Sequence, residues 1–171
     1  MRVVIVEDNA LLRAGLAELL QQGNLEVVGQ AGDVDEALAA IDAGHPDVVL
    51  VDIRMPPTFT LEGLVLAKQI RATSGGKIGI VLLSQHVEAQ HAVDLLAGGA
   101  AGIGYLLKDR VLNPAELIEA MRRVAAGGSA IDPTVIDTLL KRRPDDSRIG
   151  SLTERERDVL AAMAEGRSNQ A

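Results

Sequence analysis

Apolar residues are spaced in two alternating rhythms along this chain. Continuous runs, Val3-Val4-Ile5-Val6, Val48-Val49-Leu50-Val51, Ile80-Val81-Leu82-Leu83 and Tyr105-Leu106-Leu107, read as strands buried on both faces. Between them, apolar residues recur every three or four positions, as on one face of a helix. Residues 10–21 carry Leu12, Leu16, Leu19 and Leu20 at that spacing and stop near Gly23. A second strand is predicted at about 25–30, and Asp33 is placed to cap a helix over 34–43. The third strand is predicted at 47–51 and the third helix at 61–72. Gly75-Gly76 break the chain before a fourth strand at 78–83, and the fourth helix, 86–97, stops at Gly98-Gly99. A fifth strand follows at 103–107. The fifth helix opens at Pro114, with Leu117, Met121 and Val124 as its apolar stripe and Glu116, Glu119, Arg122 and Arg123 outward.

Five strand-then-helix units imply right-handed crossovers and a parallel sheet with helices on both faces, a doubly wound five-stranded α/β domain. Residues 1–127 form that domain in this reading, ended by Gly127-Gly128. Residues 128–150 read as a linker with a short helix at 131–141, followed by the charged stretch Lys141-Arg142-Arg143-Pro144-Asp145-Asp146-Ser147. A new element opens at Ser151. Thr153-Glu154-Arg155-Glu156 fits a capping box, Val159, Leu160 and Met163 give one apolar face, and Gly166 ends the helix.

Composition narrows the function. The chain has 171 residues, 47% of them apolar but only 1% aromatic, Phe59 and Tyr105, so its core is aliphatic and it lacks stacking platforms for single-stranded nucleic acid. It has no cysteine, which removes disulfides, thiolate metal sites and cysteine catalysis. No apolar run approaches the roughly 18 residues that span a bilayer, and Glu7-Asp8 come too early for a signal-peptide core. A cytoplasmic protein with no membrane partner is expected. The net charge of −7 counts against broad nucleic-acid binding.

The chemistry collects at the strand ends. Glu7 and Asp8 follow the first apolar run, Asp52 the third, Ser84 the fourth and Lys108 the fifth. In the flavodoxin-like strand order, 2-1-3-4-5, the first and third strands are neighbours at the switch point, where open α/β sheets bind ligands. Taken singly, a strand-end carboxylate is most often a helix cap or a solvated loop residue, and a lone lysine a surface charge. Jointly, each after its own buried strand, they suit a divalent metal and a phosphoryl group. Mg2+ takes one or two carboxylates, several waters and a phosphate oxygen, which makes Asp8 and Asp52 ligands, with the Arg54 carbonyl as a further oxygen and Glu7 acting through a bound water. Asp52 is the candidate nucleophile toward phosphorus, Lys108 the cation that neutralises the transferring group, and Ser84 a hydrogen-bond partner for a phosphoryl oxygen.

Val4-Ile5-Val6-Glu7-Asp8-Asn9, Asp52-Ile53-Arg54-Met55-Pro56, Leu83-Ser84 and Gly104-Tyr105-Leu106-Leu107-Lys108-Asp109 resemble, in order and spacing, the motifs of bacterial response-regulator receiver domains. The resemblance covers about residues 1–127. It implies a magnesium-dependent, self-catalysed transfer of a phosphoryl group to Asp52 from a sensor histidine kinase, and no other enzymatic activity. It also implies that Ser84 moves toward the phosphoryl group while Tyr105 rotates inward, a population shift that reshapes the surface of helix four, strand five and helix five. A homodimer through this domain is expected. Three features depart from the family pattern. Glu7 stands where Asp is frequent, the stretch Pro56 to Gly63 is longer than the usual loop, and Gln85 follows Ser84 where a small residue is frequent.

Ser151-Leu152-Thr153-Glu154-Arg155-Glu156-Arg157-Asp158-Val159-Leu160, then Gly166-Arg167-Ser168-Asn169-Gln170, resemble the opening of a LuxR-type helix-turn-helix domain. The whole therefore resembles a NarL/LuxR-type transcriptional regulator whose output is promoter DNA. A recognition helix must enter the major groove, and residues 151–171 supply only the start of such a domain, so this stretch of chain is expected to have no DNA-binding residues of its own. Three alternatives stand beside this reading. A stand-alone receiver acting through protein contacts has no need of the residues after Ser151. An Asp-nucleophile phosphatase of the haloacid-dehalogenase type would carry a second Asp where this chain has Arg54. A pseudo-receiver would not keep the acidic set.

Overall fold

In the computed structural model, which describes residues 1–87, 89–96 and 99–141, strands and helices alternate along the chain. The order is β1 (Arg2–Val6), α1 (Ala10–Gln22), β2 (Glu26–Ala31), α2 (Val34–Gly44), β3 (Val48–Asp52), α3 (Glu62–Ser74), β4 (Gly79–Ser84), α4 (Ala89–Leu96) and β5 (Ile103–Leu107). A single turn of 3-10 helix, Lys108–Leu112, then leads into α5 (Pro114–Ala125), β6 (Ser129–Ile131) and α6 (Pro133–Lys141). The elements begin where the local chemistry says they should. Asn9 Oδ1 accepts from the backbone N–H groups of Leu11 and Leu12 at 3.1 and 3.0 Å and so starts α1. Asp33 Oδ1 accepts from Glu36 N at 2.9 Å at the head of α2, while Glu36 Oε2 accepts from Gly32 N at 2.8 Å. Pro114 opens α5, and α3 stops at Gly75, whose φ of 61° is left-handed.

All strands are parallel and lie in the order β2-β1-β3-β4-β5-β6. β1, β3 and β4 are almost wholly buried, as their unbroken apolar runs require. Side chains alternate between two cores. Val3, Ile5, Val48, Leu50, Val81 and Leu83 pack under α1 and α5. Val4, Val6, Val49, Val51, Ile80 and Leu82 pack under α2, α3 and α4 on the other face.

The sheet has six strands, not the five expected, and it continues past Gly127-Gly128. Ser129, Ala130 and Ile131 pair with Ile103, Gly104 and Tyr105 of β5. The run is only three residues long, too short to register as a period-two pattern in the sequence. α6 then returns to pack on α4 and buries Val135 in the same core as Tyr105. Residues 142–171, which include the rest of the predicted linker and the element from Ser151, lie outside the described residues.

Candidate functional site

The strand order reverses between β1 and β3, so their carboxyl ends open on a shared crevice. Glu7 and Asp8 occupy the two positions between the end of β1 and the cap of α1. The Arg13 guanidinium reaches back from α1 and donates to the Glu7 carbonyl, tying helix to loop. Asp52 is the last residue of β3, and its Oδ1 accepts from Arg54 N at 3.4 Å. Gly63 explains how α3 can pass so close behind it. A Cβ at that position would lie 1.9 Å from the Asp52 carbonyl oxygen, so only glycine fits.

Lys108, the first residue past β5, reaches over this crevice. Its ammonium donates to Glu7 Oε2 and to Asp52 Oδ2, each at 2.9 Å. One oxygen from each of Glu7, Asp8 and Asp52 lies within 4.8 Å of the others. Three carboxylates thus face one ammonium. Glu7 and Asp52 are also buried, at 1% and 6% exposure. Burial is the largest influence on both and pushes their carboxyl pKa values up, against the hydrogen bonds from Lys108. Burial pulls Lys108 down, but its hydrogen bonds to Glu7 and Asp52 and their charges outweigh that, so the ammonium holds its proton more tightly than an ordinary lysine. The surplus of negative charge in a confined, all-oxygen donor set suits a hard divalent cation.

The four charged groups line a cleft of about 380 Å³ whose walls also include Arg54, Phe59 and Gln85. The structure therefore gathers Glu7, Asp8, Asp52, Lys108 and Arg54 at one place. Ser84, buried at the end of β4, has its hydroxyl engaged elsewhere: it donates to the His86 carbonyl at 2.6 Å. Tyr105 is fully buried, among Ala92, Leu95 and Val135. Two features were not anticipated. Phe59, on the long loop before α3, lines the cleft; its being one of only two aromatics was the signal. Asp132, 1% exposed, accepts from Arg110 Nε at 2.7 Å, and an Asp immediately before Pro133 could have been read as a helix cap.

Residues 3–122 match the family model of the response regulator receiver domain. The chain belongs to the response-regulator family. The nitrate/nitrite response regulator protein NarL of Escherichia coli (strain K12) is 31% identical over 175 residues, a match covering 98% of this chain and 77% of the relative. The DNA-binding transcriptional activator DevR/DosR of Mycobacterium tuberculosis (strain ATCC 25618 / H37Rv) is 30% identical, over 99% of this chain and 77% of its own. A LuxR-family two-component response regulator from Aurantimonas sp. SI85-9A1 superposes with a TM-score of 0.68 at 26% identity, covering 82% of this chain and 95% of that one. These relatives place the chain among the NarL/LuxR-type response regulators, which are phosphorylated on an aspartate and regulate transcription. Among the described residues no helix is long and apolar enough to cross a membrane.

Proposed function

We propose that Asp52 is the phosphoacceptor and that a sensor histidine kinase is the donor. The reading is carried by one observation: Lys108 bridges Glu7 and Asp52 at 2.9 Å each, with the Asp8 carboxylate alongside. Asp52 Oδ would attack phosphorus as the phosphohistidine nitrogen–phosphorus bond breaks and the electron pair returns to the imidazole. Lys108 lies where charge builds on the transferring group, and charge stabilisation is the main source of phosphoryl-transfer catalysis. Asp8 and Asp52, with the Arg54 carbonyl, would hold Mg2+, and Glu7 would orient its water while anchoring Lys108. Bound there, the ion supplies positive charge to the phosphoryl oxygens. Acceptance and loss of this group is the only chemistry the proposal needs from the chain.

The output follows from the same site. Ser84 would exchange the His86 carbonyl for a phosphoryl oxygen, and Tyr105, already in the core beside α4 and α6, would stabilise the rearranged face. Residues 1–127 would then act as the receiver, 128–150 as the connection, and 151–171 as the beginning of a LuxR-type helix-turn-helix domain. A cytoplasmic homodimer on promoter DNA is the form in which the full-length protein would work. Adding Mg2+ with a small phosphodonor or beryllofluoride to wild type and Asp52→Asn tests the switch. A mass increase and a change in oligomer size confined to wild type are expected; identical behaviour of the two proteins would sink the proposal.

A further inference from the structure

The loop between β3 and α3 is built around Phe59. Glu62, the first residue of α3, folds its carboxylate back along the loop. Its Oε1 accepts from Thr58 N at 3.1 Å and from the Thr58 hydroxyl, and its Oε2 accepts from Thr60 N at 2.9 Å. The residues on both sides of Phe59 are therefore held by one carboxylate. The Thr58 and Thr60 hydroxyls, 2.7 Å apart, close the clasp. Phe59 N donates to the Met55 carbonyl at 2.9 Å, and Phe59 itself has a φ of 56°, a left-handed conformation unfavourable for a residue with a Cβ. The Thr58 hydroxyl, above all, lowers the Glu62 carboxyl to about 2, so the clasp is ionised at neutral pH.

Core packing does not account for this arrangement, because Phe59 is 52% exposed. Phe59 instead lines the cleft that holds Glu7, Asp8, Asp52 and Lys108. An apolar wall beside a reacting phosphorus excludes water from it and leaves the surrounding charges less screened. We infer that Phe59 sets the lifetime of the phosphoryl group by shielding it from hydrolysis, with Glu62 as the residue that positions the ring. The inference rests on Asp52 being the phosphoacceptor. In the step it controls, a water oxygen attacks phosphorus, the bond from phosphorus to Asp52 Oδ breaks, and the electron pair returns to the carboxylate. Inorganic phosphate leaves, and the proton of the attacking water goes to solvent.

The test uses the full chain, phosphorylated with phosphoramidate and Mg2+, and follows the loss of the added mass after the donor is removed. Phe59→Ala is expected to shorten the lifetime about three- to tenfold at an unchanged melting temperature, and Phe59→Leu to restore most of it. Glu62→Ala is expected to shorten it as well. In the double variant it should add nothing to Phe59→Ala, the non-additivity of two residues acting as one. A lifetime in Phe59→Ala equal to or longer than wild type would overturn the inference. So would an effect confined to transfer from a phosphohistidine donor, which would make Phe59 a docking residue instead. A wild-type chain that takes no phosphoryl group on Asp52 would instead remove the reading beneath it.

Discussion

Lys108 Nζ lies 2.9 Å from Asp52 Oδ2 and 2.9 Å from Glu7 Oε2, so a single ammonium is divided between two buried carboxylates. Asp52→Asn relieves that surplus while removing the nucleophile. The variant is expected to accept no phosphoryl group and to bind Mg2+ more weakly. Its metal-free form should nevertheless melt higher than wild type, because a carboxylate buried at a cost has become a neutral amide that still accepts from Lys108. Mass spectrometry and thermal melts in a chelator check both halves. A lower melting temperature would show that the Lys108–Asp52 attraction outweighs the burial cost.

The same surplus gives a pH signature. Glu7 and Asp52 have carboxyl pKa values raised above 4.5 and 3.8, first by burial. The folded state therefore binds these protons more tightly than the unfolded chain. In the absence of metal, their contribution to stability falls as pH rises through the window between the ordinary and the raised values. Mg2+ needs the ionised forms, so the stabilisation it gives runs the other way, full above that window and fading as pH drops through it. Melting with and without Mg2+ should show a difference that is large at neutral pH and shrinks as the pH is lowered into the acid range. A difference independent of pH would place the ion away from these carboxylates.

Much of this site was legible because it depends on strand ends, and strand ends are marked by where apolar runs stop. Val51 giving way to Asp52, and Leu107 to Lys108, fix those side chains at the carboxyl edge once the strands are parallel. What the sequence hides is set by contacts between distant residues. β6 is three residues that become a strand only because β5 offers an open edge. The bond from the Ser84 hydroxyl to the His86 carbonyl is one that no periodicity predicts. Phe59 reaches the cleft because Glu62 bends the loop back, a clasp made by spacing of polar residues within a loop rather than by any hydrophobic pattern.

Gly63→Ala tests how tightly α3 is seated behind Asp52. The new Cβ would meet backbone atoms, with the Asp52 carbonyl oxygen at 1.9 Å, so the helix or the strand end must move. Destabilisation of about 2–3 kcal/mol is expected, the upper range for overpacking, together with slower phosphorylation as Asp52 shifts. Gly15→Ala in α1 is the control. Nothing lies within 4 Å of its added methyl, so it should stabilise by about 0.5–1 kcal/mol and leave phosphorylation unchanged. Chemical denaturation and the phosphorylation rate separate the two variants, and equal stabilities would refute the steric account.

Asp132 fastens the last part of the described chain to β5, the strand that leads into Lys108. Its backbone N–H donates to the Tyr105 carbonyl at 2.8 Å, its carboxylate accepts from Arg110 Nε at 2.7 Å, and its Oδ1 caps α6 by accepting from Thr134 N at 2.9 Å. Burial raises its pKa, but the Arg110 and Thr134 bonds together prevail and hold the carboxyl below its usual value. Its stabilising contribution is therefore present above the unfolded pKa and lost as pH falls through the folded one. Asp132→Ala removes the cap and the bond to Arg110, and about 1–2 kcal/mol should be lost. Asp132→Asn keeps the cap and should lose less. Hydrogen exchange locates the effect: in Asp132→Ala, residues 129–141 should exchange faster while β1, β3 and β4 keep their protection. Uniform loss across the sheet would show that α6 folds as one unit with the core, not as a segment fastened to it by this residue.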